Sequence, residues 1–517
     1  MNLKSLFRDK KFILIMISTM AWGLLSHGYA MFHKFSYHDD AMWTVGFVDA
    51  ETYGLGRWGL GLFGEMISRL LGSMHISTPA FNGLIILVSI AVILYIACIK
   101  LRIDNKVLIV SLAGVLVSFP AVTGLFGFIY TAPYYFVGSA LGVIGAYIYY
   151  NDKKIKTMII CVLLMMISVS LYQANIPINM MILLLFMLDE VYVSDMKMKD
   201  YIVLAVKNAM ICAGFMILYL IINKILLAIK RMELSGYKGI NSFGMTDVTG
   251  YLFRIFSAYI RFLKPADYLI PLKWISANMF PWNIKYFHIL LVVVTLIGLF
   301  MVLKPVKNIS TIAGVCVLIV ISPLFAYFIY VMVGEDEVHG LMTYGESFMF
   351  FLPAYFVERL TDTGKLSLIV KKMTMVLMLL IGFMFARYSN VCYLKADVMQ
   401  TEAISYYNRM IARIQETEGY TENTPVLYIN GRSKNEEDMN GNKMFDPIYL
   451  PPYQGNSIIN DFAWEETMEL WCGFSPVKAD PGVASADVIE SMPNYPAEGS
   501  VRMIDGVVVV KFADSSD

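Results

Sequence analysis

Two adjacent carboxylates, Asp39 and Asp40, follow the first apolar segment of the chain, and Gly56-Arg57-Trp58 begins about seventeen residues later. A carboxylate can take a proton from a hydroxyl, and a guanidinium can grip a phosphate with two parallel hydrogen bonds. Charged groups in hydrocarbon carry a large free-energy penalty, so these residues must face water, a cavity or a partner ion. The spacing predicts polar chemistry at a membrane surface.

The composition is that of a membrane protein. Hydrophobic residues make up 57% of the chain and charged residues 16%, which excludes an ordinary soluble protein. The net charge is zero, but acidic and basic residues are unevenly distributed along the chain. Residues 389–517 contain 20 Asp and Glu against 9 Lys and Arg. We therefore expect a basic membrane domain over residues 1–388 and an acidic soluble domain over residues 389–517.

Apolar runs long enough to cross about 30 Å of hydrocarbon predict an all-α polytopic protein with about eleven transmembrane helices. These runs begin near Phe12, Phe81, Val107, Tyr134, Met158, Ile176, Tyr201, Phe287, Ile309, Leu341 and Met373. The runs at Met158 and Ile176 are short, so they are either kinked spans or a paired re-entrant element. The first run is too long for a secretory signal and is expected to stay as an uncleaved helix.

Lysine and arginine predict the orientation, since they concentrate in cytoplasmic loops. They occur at Lys4, Arg8, Lys10, Lys11, Lys100, Arg102, Lys106, Lys153, Lys154, Lys156, Lys197, Lys199, Lys304, Lys307, Arg359, Lys365, Lys371 and Lys372. The alternate loops at residues 130–133, 172–175 and 334–340 contain no Lys or Arg. This pattern predicts a cytoplasmic N-terminus, with Asp39, Asp40 and the C-terminal domain outside.

Two long external loops, residues 31–79 and 224–285, carry much of the polar chemistry. In the first, Trp58, Leu62, Met66 and Leu70 recur at helical spacing and predict a helix lying in the membrane interface. The second has nine Lys or Arg against three Asp or Glu, and Arg254, Arg261 and Lys264 are spaced to share one helical face. This face is either a contact for anionic lipid headgroups or a cationic wall that binds an anionic substrate.

A third external loop, residues 334–340, is acidic. Its Glu335 and His339 could bind acceptor hydroxyls or a divalent cation, or the loop could simply be a solvated turn. At the first loop, Asp40 could share a divalent cation such as Mg²⁺ or Mn²⁺ with a phosphate. No cofactor is certain, because the sequence has no Walker lysine motif, no H-E-x-x-H and no paired C-x-x-C.

The C-terminal region has the pattern of a small α/β domain. A helical stripe is followed by a strand at residues 426–429, and Asp505-Gly506 between apolar pairs predicts a hairpin. The stripe consists of Ala403, Ile404, Tyr407, Met410, Ile411 and Ile414. Cys392 and Cys472 would both be external, and a disulfide between them is chemically allowed.

The order of these features resembles a known family. The chain resembles the bacterial type-II O-antigen glucosyltransferases in the order of six features. These are a basic start, one span, an external Asp-Asp pair, Gly-Arg-Trp, the pair Tyr172-Gln173 near a mid-chain span, and an external C-terminal domain. That family belongs to the polytopic C-type (GT-C) glycosyltransferases. The resemblance covers the membrane domain in outline, and its specific content is local to the residues just named.

The resemblance implies an inverting enzyme of the bacterial plasma membrane. It would transfer a sugar, glucose in this family, from a polyprenyl-phosphate carrier to an envelope glycan outside the cell, with membrane lipid but no nucleic acid as a further partner. Asp39 or Asp40 would be the base that accepts the proton of the acceptor hydroxyl. Arg57 would hold the donor phosphate, and Trp58 would give the sugar or lipid an apolar surface.

Each of these residues also has a purely structural interpretation. The aspartates could cap a helix, Arg57 could reach to headgroups, Trp58 could anchor the interface, and Tyr172 and Gln173 could satisfy the backbone of a broken helix. For the whole chain the alternatives are a lipid or polysaccharide transporter or flippase, or an envelope-polymer polymerase or ligase. A transporter typically has internal repeats and ionisable groups deep within its spans, and neither pattern is evident here.

Overall fold

The computed structural model describes residues 8–34, 40, 47–71, 78–236, 248–263, 284–333, 338–361, 364–430, 463–480, 482–483 and 485–512. These residues form a mostly helical protein with one small sheet near the C-terminus. The chain divides into two compact units, the first made of residues 1–34 and 45–391 and the second of residues 35–44 and 392–517.

The first unit is helical. Its helices are α1 (Lys10–Phe32), α2 (Asp49–Thr52), α3 (Trp58–Leu71), α4 (Pro79–Lys100), α5 (Lys106–Ser118), α6 (Pro120–Leu125), α7 (Ala132–Asp152), α8 (Ile155–Leu171), α9 (Ile176–Val193), α10 (Met198–Lys230), α11 (Val248–Leu263), α12 (Ile284–Leu303), α13 (Ile309–Ala326), α14 (Ile329–Met332), α15 (Phe351–Glu358) and the first part of α16 (Lys365–Gln415). Short 3-10 helices occur at Phe126–Phe128, Gln173–Asn175, Gly340–Met342 and Tyr344–Phe350.

Seven helices in the described part of the chain are long and apolar enough to span a membrane, or eight if the bent pair of α5 with residues 120–128 is one span. The seven are α1, α4, the segment Gln173–Val193, α10, α12, α13 and α16. The predicted count of eleven is therefore not confirmed, although the class, a helical membrane protein, is. Three predicted spans are neither among these helices nor in the bent pair. Helix α7 is less apolar, α8 has only 17 residues, and residues 340–358 form 3-10 helices followed by the short helix α15.

The centre of the first unit is formed by α7, which packs against α8, α4 and α9. Small residues allow this close approach, since a methyl group added at Gly142 would lie 1.9 Å from Asn179 Oδ1 of α9. Helices α1, α4 and α5 pack beside it, with Trp22 Nε1 donating to the carbonyl of Val110 at 3.1 Å. The core that positions α7 and α9 is therefore tightly packed.

One end of the first unit contains a network of ion pairs, which we call the basic end. Its members are Lys100, Arg102, Lys153, Arg359, Asp189 and Glu190. Asp189, 1% exposed, pairs with Arg359 and lies 3.7 Å from Arg102. Arg359 also donates to the carbonyl of Leu101 at 2.9 Å. Opposite charges thus neutralise each other where α7, α9 and α15 end.

The second unit contains a three-stranded sheet in the order β1 (Val426–Ile429), β3 (Val507–Lys511), β2 (Val501–Ile504). β1 is parallel to β3, and β2 pairs antiparallel with β3. Asp505 and Gly506 in the hairpin turn both have positive φ, at 50° and 81°, as a type I′ turn requires. The predicted strand and the predicted Asp-Gly hairpin are both confirmed.

Helices of the second unit pack on this sheet. They are the last part of α16, α17 (Trp464–Cys472) and α18 (Ala486–Ser491). The predicted stripe on α16 is largely buried, and its Tyr407 stacks with Trp464 at 6.4 Å between ring centroids. Cys392 is buried and Cys472 is partly buried, and the disulfide that the sequence allowed between them is not confirmed.

Candidate active site

The first loop folds into a tight turn that presents Arg57. Helix α2 ends in a Schellman motif, in which the Gly56 N–H donates to the Tyr53 carbonyl at 2.9 Å and the Arg57 N–H to the Thr52 carbonyl at 2.7 Å. Gly56 has a φ of +72°, which glycine adopts without the steric cost that a Cβ would add. The turn stops α2 and makes Arg57 the last residue before α3.

Two side chains that are distant in sequence hold this turn. Gln173 Nε2 donates to the Leu55 carbonyl at 2.6 Å and to the Tyr219 hydroxyl at 3.1 Å. The Tyr219 hydroxyl in turn donates to the Gly56 carbonyl at 2.9 Å. A methyl group at Gly56 would lie 2.6 Å from that hydroxyl, so the turn and its support leave no space for a side chain.

The end of α10 also holds the turn. Lys230 pairs with Asp49 at 2.9 Å and lies 4.6 Å from the centroid of the Tyr53 ring. The backbone N–H of Ser235 donates to the Gly54 carbonyl at 2.8 Å. Burial raises the pKa of the Tyr53 phenol, whose ring faces Lys230. The position of Arg57 is thus fixed from three elements of the first unit.

Arg57 lies against two stacked tyrosines. Its Nη1 donates to the Tyr135 hydroxyl at 3.3 Å, and its guanidinium carbon is 5.5 Å from the centroid of the Tyr172 ring. Tyr135 and Tyr172 stack with their ring centroids 4.0 Å apart and an interplanar angle of 10°. The three sequence-predicted residues Arg57, Tyr172 and Gln173 therefore come together in space.

The break between α8 and α9 carries Tyr172 and Gln173. Asn175 satisfies its backbone, because Nδ2 donates to the carbonyls of Ser168 at 3.0 Å and Tyr135 at 3.2 Å, while Oδ1 accepts from Ser139 at 2.9 Å. The structural role that the sequence allowed for the Tyr-Gln pair thus belongs to Asn175. Tyr172 and Gln173 instead contact the turn of the first loop.

Trp58 and α3 complete this part of the first unit. Trp58 is 5% exposed, and its Nε1 has no hydrogen-bond partner among the described residues. The predicted helix is present, and its Leu62, Met66 and Leu70 are exposed on one side. An exposed apolar stripe is what a helix in the membrane interface presents to lipid.

The aspartate pair is described only in part. Asp39 lies outside the described residues, and Asp40, which is 4% exposed, belongs to the second unit. Among the residues that the structure describes, no group of three or more His, Cys, Asp or Glu could hold a metal ion. A metal at Asp40 would thus need other ligands, such as the oxygens of a phosphate.

Two of the three basic residues predicted to share a helical face in the second loop are described by the structure. Arg254 and Arg261 lie on one side of α11, and both contact α14: Arg254 donates to the carbonyls of Val331 and Met332 at 3.3 and 3.4 Å, and Arg261 lies 6.0 Å from the Tyr330 ring. The contacts of Arg254 are those of a residue capping the last turn of α14. Lys264 lies outside the described residues.

The third loop is described from residue 338 onward, so Glu335 lies outside the described part. His339 is half-buried, and its carbonyl accepts the Met342 N–H at 2.9 Å. It therefore begins the 3-10 helix Gly340–Met342. Nothing in these contacts assigns it a ligand.

Arg57 and the basic end occupy opposite ends of the same helices. Tyr135 is in the first turn of α7 and Lys153 follows its last turn, about 27 Å away at 1.5 Å per residue. Likewise α9 begins next to Asn175 and ends next to Asp189 and Glu190. An arginine between stacked aromatic rings can bind a phosphate through its N–H groups while the rings face a sugar or a lipid.

Two residues of this site were missed by sequence reasoning. Tyr135 follows the Lys- and Arg-free loop at residues 130–133, and that position in a predicted external turn was a usable signal. Tyr219 lies within the long apolar helix α10, 163 residues from its partner Gly56. A single sequence carries no signal for a contact over such a separation.

Comparison with protein families gives one result. A family model described as "Glucosyl transferase GtrII" matches residues 28–353, which is more than half of the chain and includes Arg57, Tyr135, Tyr172, Gln173 and Tyr219. Comparison with curated proteins and with solved structures gives no significant match.

Proposed function

Since the chain belongs to the glucosyl transferase GtrII family, we propose that it transfers glucose from a polyprenyl-phosphate carrier to an envelope glycan at the outer face of the bacterial plasma membrane. The observation that carries this proposal is the placement of Arg57 in a buttressed turn against Tyr135 and Tyr172. Such a donor is amphipathic, so its phosphate needs a cation at headgroup height beside apolar helices.

Arg57 binds the donor phosphate in this proposal. The leaving phosphate gains negative charge as the bond to the sugar breaks, and a fixed guanidinium stabilises that charge without reorganising. The turn keeps the guanidinium of Arg57 in one position, because Gln173 and Tyr219 donate hydrogen bonds to the carbonyls of the two residues before it, Leu55 and Gly56. Tyr135 and Tyr172 offer aromatic faces to the sugar or to the first isoprene unit.

Asp39 or Asp40 is the general base in this proposal. It removes the proton of the acceptor hydroxyl as that oxygen attacks the anomeric carbon, and the phosphate leaves from the opposite face with inversion. This assignment rests on the sequence and on the family resemblance. A divalent cation shared between Asp40 and the phosphate would help the leaving group by neutralising it.

The orientation is supported by the ion pairs of the basic end. Lys100, Arg102, Lys153 and Arg359 lie there together, as the positive-inside rule expects of a cytoplasmic surface. The Arg57 end would then face outward, where a polyprenyl-linked sugar is present and nucleotide sugars are not. The C-terminal domain is proposed to lie outside as well.

The test is a transfer assay with the full-length protein in lipid vesicles that contain polyprenyl-phosphate glucose. We expect the wild type to move labelled glucose to an envelope glycan, and the double variant Asp39→Asn/Asp40→Asn to lose at least 100-fold in rate. Normal transfer by the double variant would contradict the assignment of the base. No transfer by the wild type, to any envelope glycan fraction, would contradict the function.

A further inference from the structure

A second polar cluster lies in the first unit and is not used by the proposed mechanism. Glu346, in the 3-10 helix Tyr344–Phe350, faces the hydroxyl of Tyr327 and the guanidinium of Arg261. Its Oε1 atom is buried and has no hydrogen-bond partner among the described residues. A buried carboxyl oxygen left without a hydrogen-bond partner is costly, so the cluster is incomplete as it stands.

Two further groups near this carboxyl are also unsatisfied. The hydroxyl of Tyr344, which is 4% exposed, and Nε2 of His288 are buried without a partner among the described residues. His288 lies on α12 and contacts the rings of Phe262 and Phe350, at centroid distances of 6.1 and 6.3 Å. A carboxyl, a phenol and an imidazole thus lie among aromatic rings.

This cluster is connected to the Arg57 site by direct packing. The Tyr344 ring lies 5.0 Å from the ring of Phe136, the neighbour of Tyr135 on α7. The adjacent Gly345 packs against Pro177, two residues after Asn175, so closely that a methyl group there would lie 2.5 Å from the proline Cβ. The Glu346 cluster therefore lies at the Arg57 end of α7 and α9, beside the same helix break.

The polar groups of the two sites favour different ligands. Arg57 is a cation that contacts the hydroxyl of Tyr135 and the ring of Tyr172, which suits a phosphate. Burial raises the pKa of Glu346 to about 8, so near neutral pH its carboxyl is mostly uncharged and can both donate and accept hydrogen bonds. A neutral carboxyl, a phenol and an imidazole among aromatic rings suit a neutral ligand with many hydroxyls and an apolar face, which is the chemistry of a pyranose ring.

We propose that Glu346, Tyr344 and His288 form a subsite that binds the hydroxyls of a hexose, next to the Arg57 phosphate site. The proposal rests on the proposed function and deepens it by assigning the recognition of the sugar to a part of the chain that the first loop does not contain. The hexose is either the glucosyl group of the donor or a sugar residue of the acceptor. The experiment separates these two sources.

The test compares two lipids, polyprenyl phosphate and polyprenyl-phosphate glucose, for binding to the full-length protein in nanodiscs. The variants are Glu346→Gln, which keeps the size of the side chain, and Tyr344→Phe, which removes only a hydroxyl. The matched control is Tyr149→Phe, because the Tyr149 hydroxyl is also buried without a described partner but lies on α7 near the basic end. Removing an orphaned hydroxyl should not lower Tm, so Tyr344→Phe remains informative if Glu346→Gln fails to fold.

If the hexose is that of the donor, both variants bind polyprenyl-phosphate glucose about tenfold more weakly and bind polyprenyl phosphate normally. If it belongs to the acceptor, binding of both lipids is unchanged and the KM for the acceptor glycan rises about tenfold. Normal lipid binding together with a normal acceptor KM would overturn the subsite, as would an equal loss in Tyr149→Phe. A wild type that binds the glucosyl lipid but transfers nothing would instead contradict the proposed function.

Discussion

Two arginines at opposite ends of the same helices have very different surroundings. Arg359 is paired with the buried carboxylate of Asp189, donates to a backbone carbonyl and stacks on Tyr355 at 3.6 Å. Arg57 donates to the hydroxyl of Tyr135, lies over the Tyr172 ring and is carried by a turn that other residues hold by its carbonyls. Arg359 belongs to a network of buried charges, whereas Arg57 is carried by a turn that side-chain hydrogen bonds and the Lys230–Asp49 ion pair hold in place.

The interactions that hold each arginine in place indicate its role. At the basic end the ion pairs hold the ends of the helices together, so removing one partner leaves a buried charge uncompensated. At the Arg57 end, hydrogen bonds to the backbone hold the turn in place. The turn positions the guanidinium. We expect variants at the basic end to lose stability and variants at the Arg57 end to lose function.

We expect the largest difference between the two ends in how cysteines placed there react with a thiol reagent that does not cross the membrane. In a background without the six native cysteines, Glu51→Cys near Arg57 and Lys154→Cys at the basic end are both exposed. An impermeant thiol reagent added to intact cells should label position 51, whereas position 154 should react only after lysis. The opposite result would reverse the proposed orientation and place the Arg57 site in the cytoplasm.

Asp189→Asn should destabilise the protein strongly. It removes the buried partner of Arg359, and breaking a buried ion pair costs about 3–5 kcal/mol. The measurement is Tm and yield in detergent, with transfer per folded molecule unchanged. Asp152→Asn is the matched control, because Asp152 forms an exposed ion pair with Lys154, which is worth about 0.5 kcal/mol or less. Equal losses in the two variants would show that burial of Asp189 does not matter.

Gly56→Ala should reduce transfer by about tenfold at a stability cost of about 1 kcal/mol. A Cβ at this φ is strained and also collides with the Tyr219 hydroxyl, so the turn must shift and move Arg57. Gly473→Ala separates the two effects, since Gly473 has a φ of +63° with nothing within 4 Å of its Cβ position. It should show the stability cost alone, and normal transfer in Gly56→Ala would mean that the turn does not position the catalytic groups.

Tyr135→Phe is expected to have the smallest effect, a loss of about twofold to fivefold in transfer. It removes one hydrogen bond to Arg57 and leaves the stack with Tyr172 in place. The measurement compares the change in kcat with the change in the KM for the donor. If Tyr135 orients Arg57 for the leaving phosphate, its substitution should lower kcat more than it raises the donor KM. A change confined to the acceptor KM would assign Tyr135 to the other substrate.

Much of the fold could be predicted from the sequence, because apolar runs and helical periodicity are local signals. The interfacial helix α3, the strand at residues 426–429 and the Asp505-Gly506 hairpin are all present as expected. The change of composition at residue 389 does not end a helix, however, since α16 continues from Lys365 to Gln415. No proline and only one glycine occurs in that range, so the sequence contained nothing to stop it.

The candidate site was predictable only where its residues lie in short motifs. Arg57 was found in the Gly-Arg-Trp motif of the first loop, and Tyr172 and Gln173 were found as a pair between two short apolar runs. Tyr219 and Glu346 were missed, since neither belongs to a recognisable motif and their partners are distant in sequence. Long-range packing, which a single sequence does not display, decides these contacts.

Arg57 is proposed to bind the phosphate of a lipid-linked donor, whereas Arg359 stabilises the fold through its ion pair with Asp189. The most direct test is the Kd of polyprenyl phosphate for the wild type, Arg57→Ala and Arg359→Lys in nanodiscs. We expect a Kd at least tenfold higher for Arg57→Ala with an unchanged Tm, and a normal Kd with a lower Tm for Arg359→Lys. A wild-type Kd in Arg57→Ala would contradict the proposed role of Arg57.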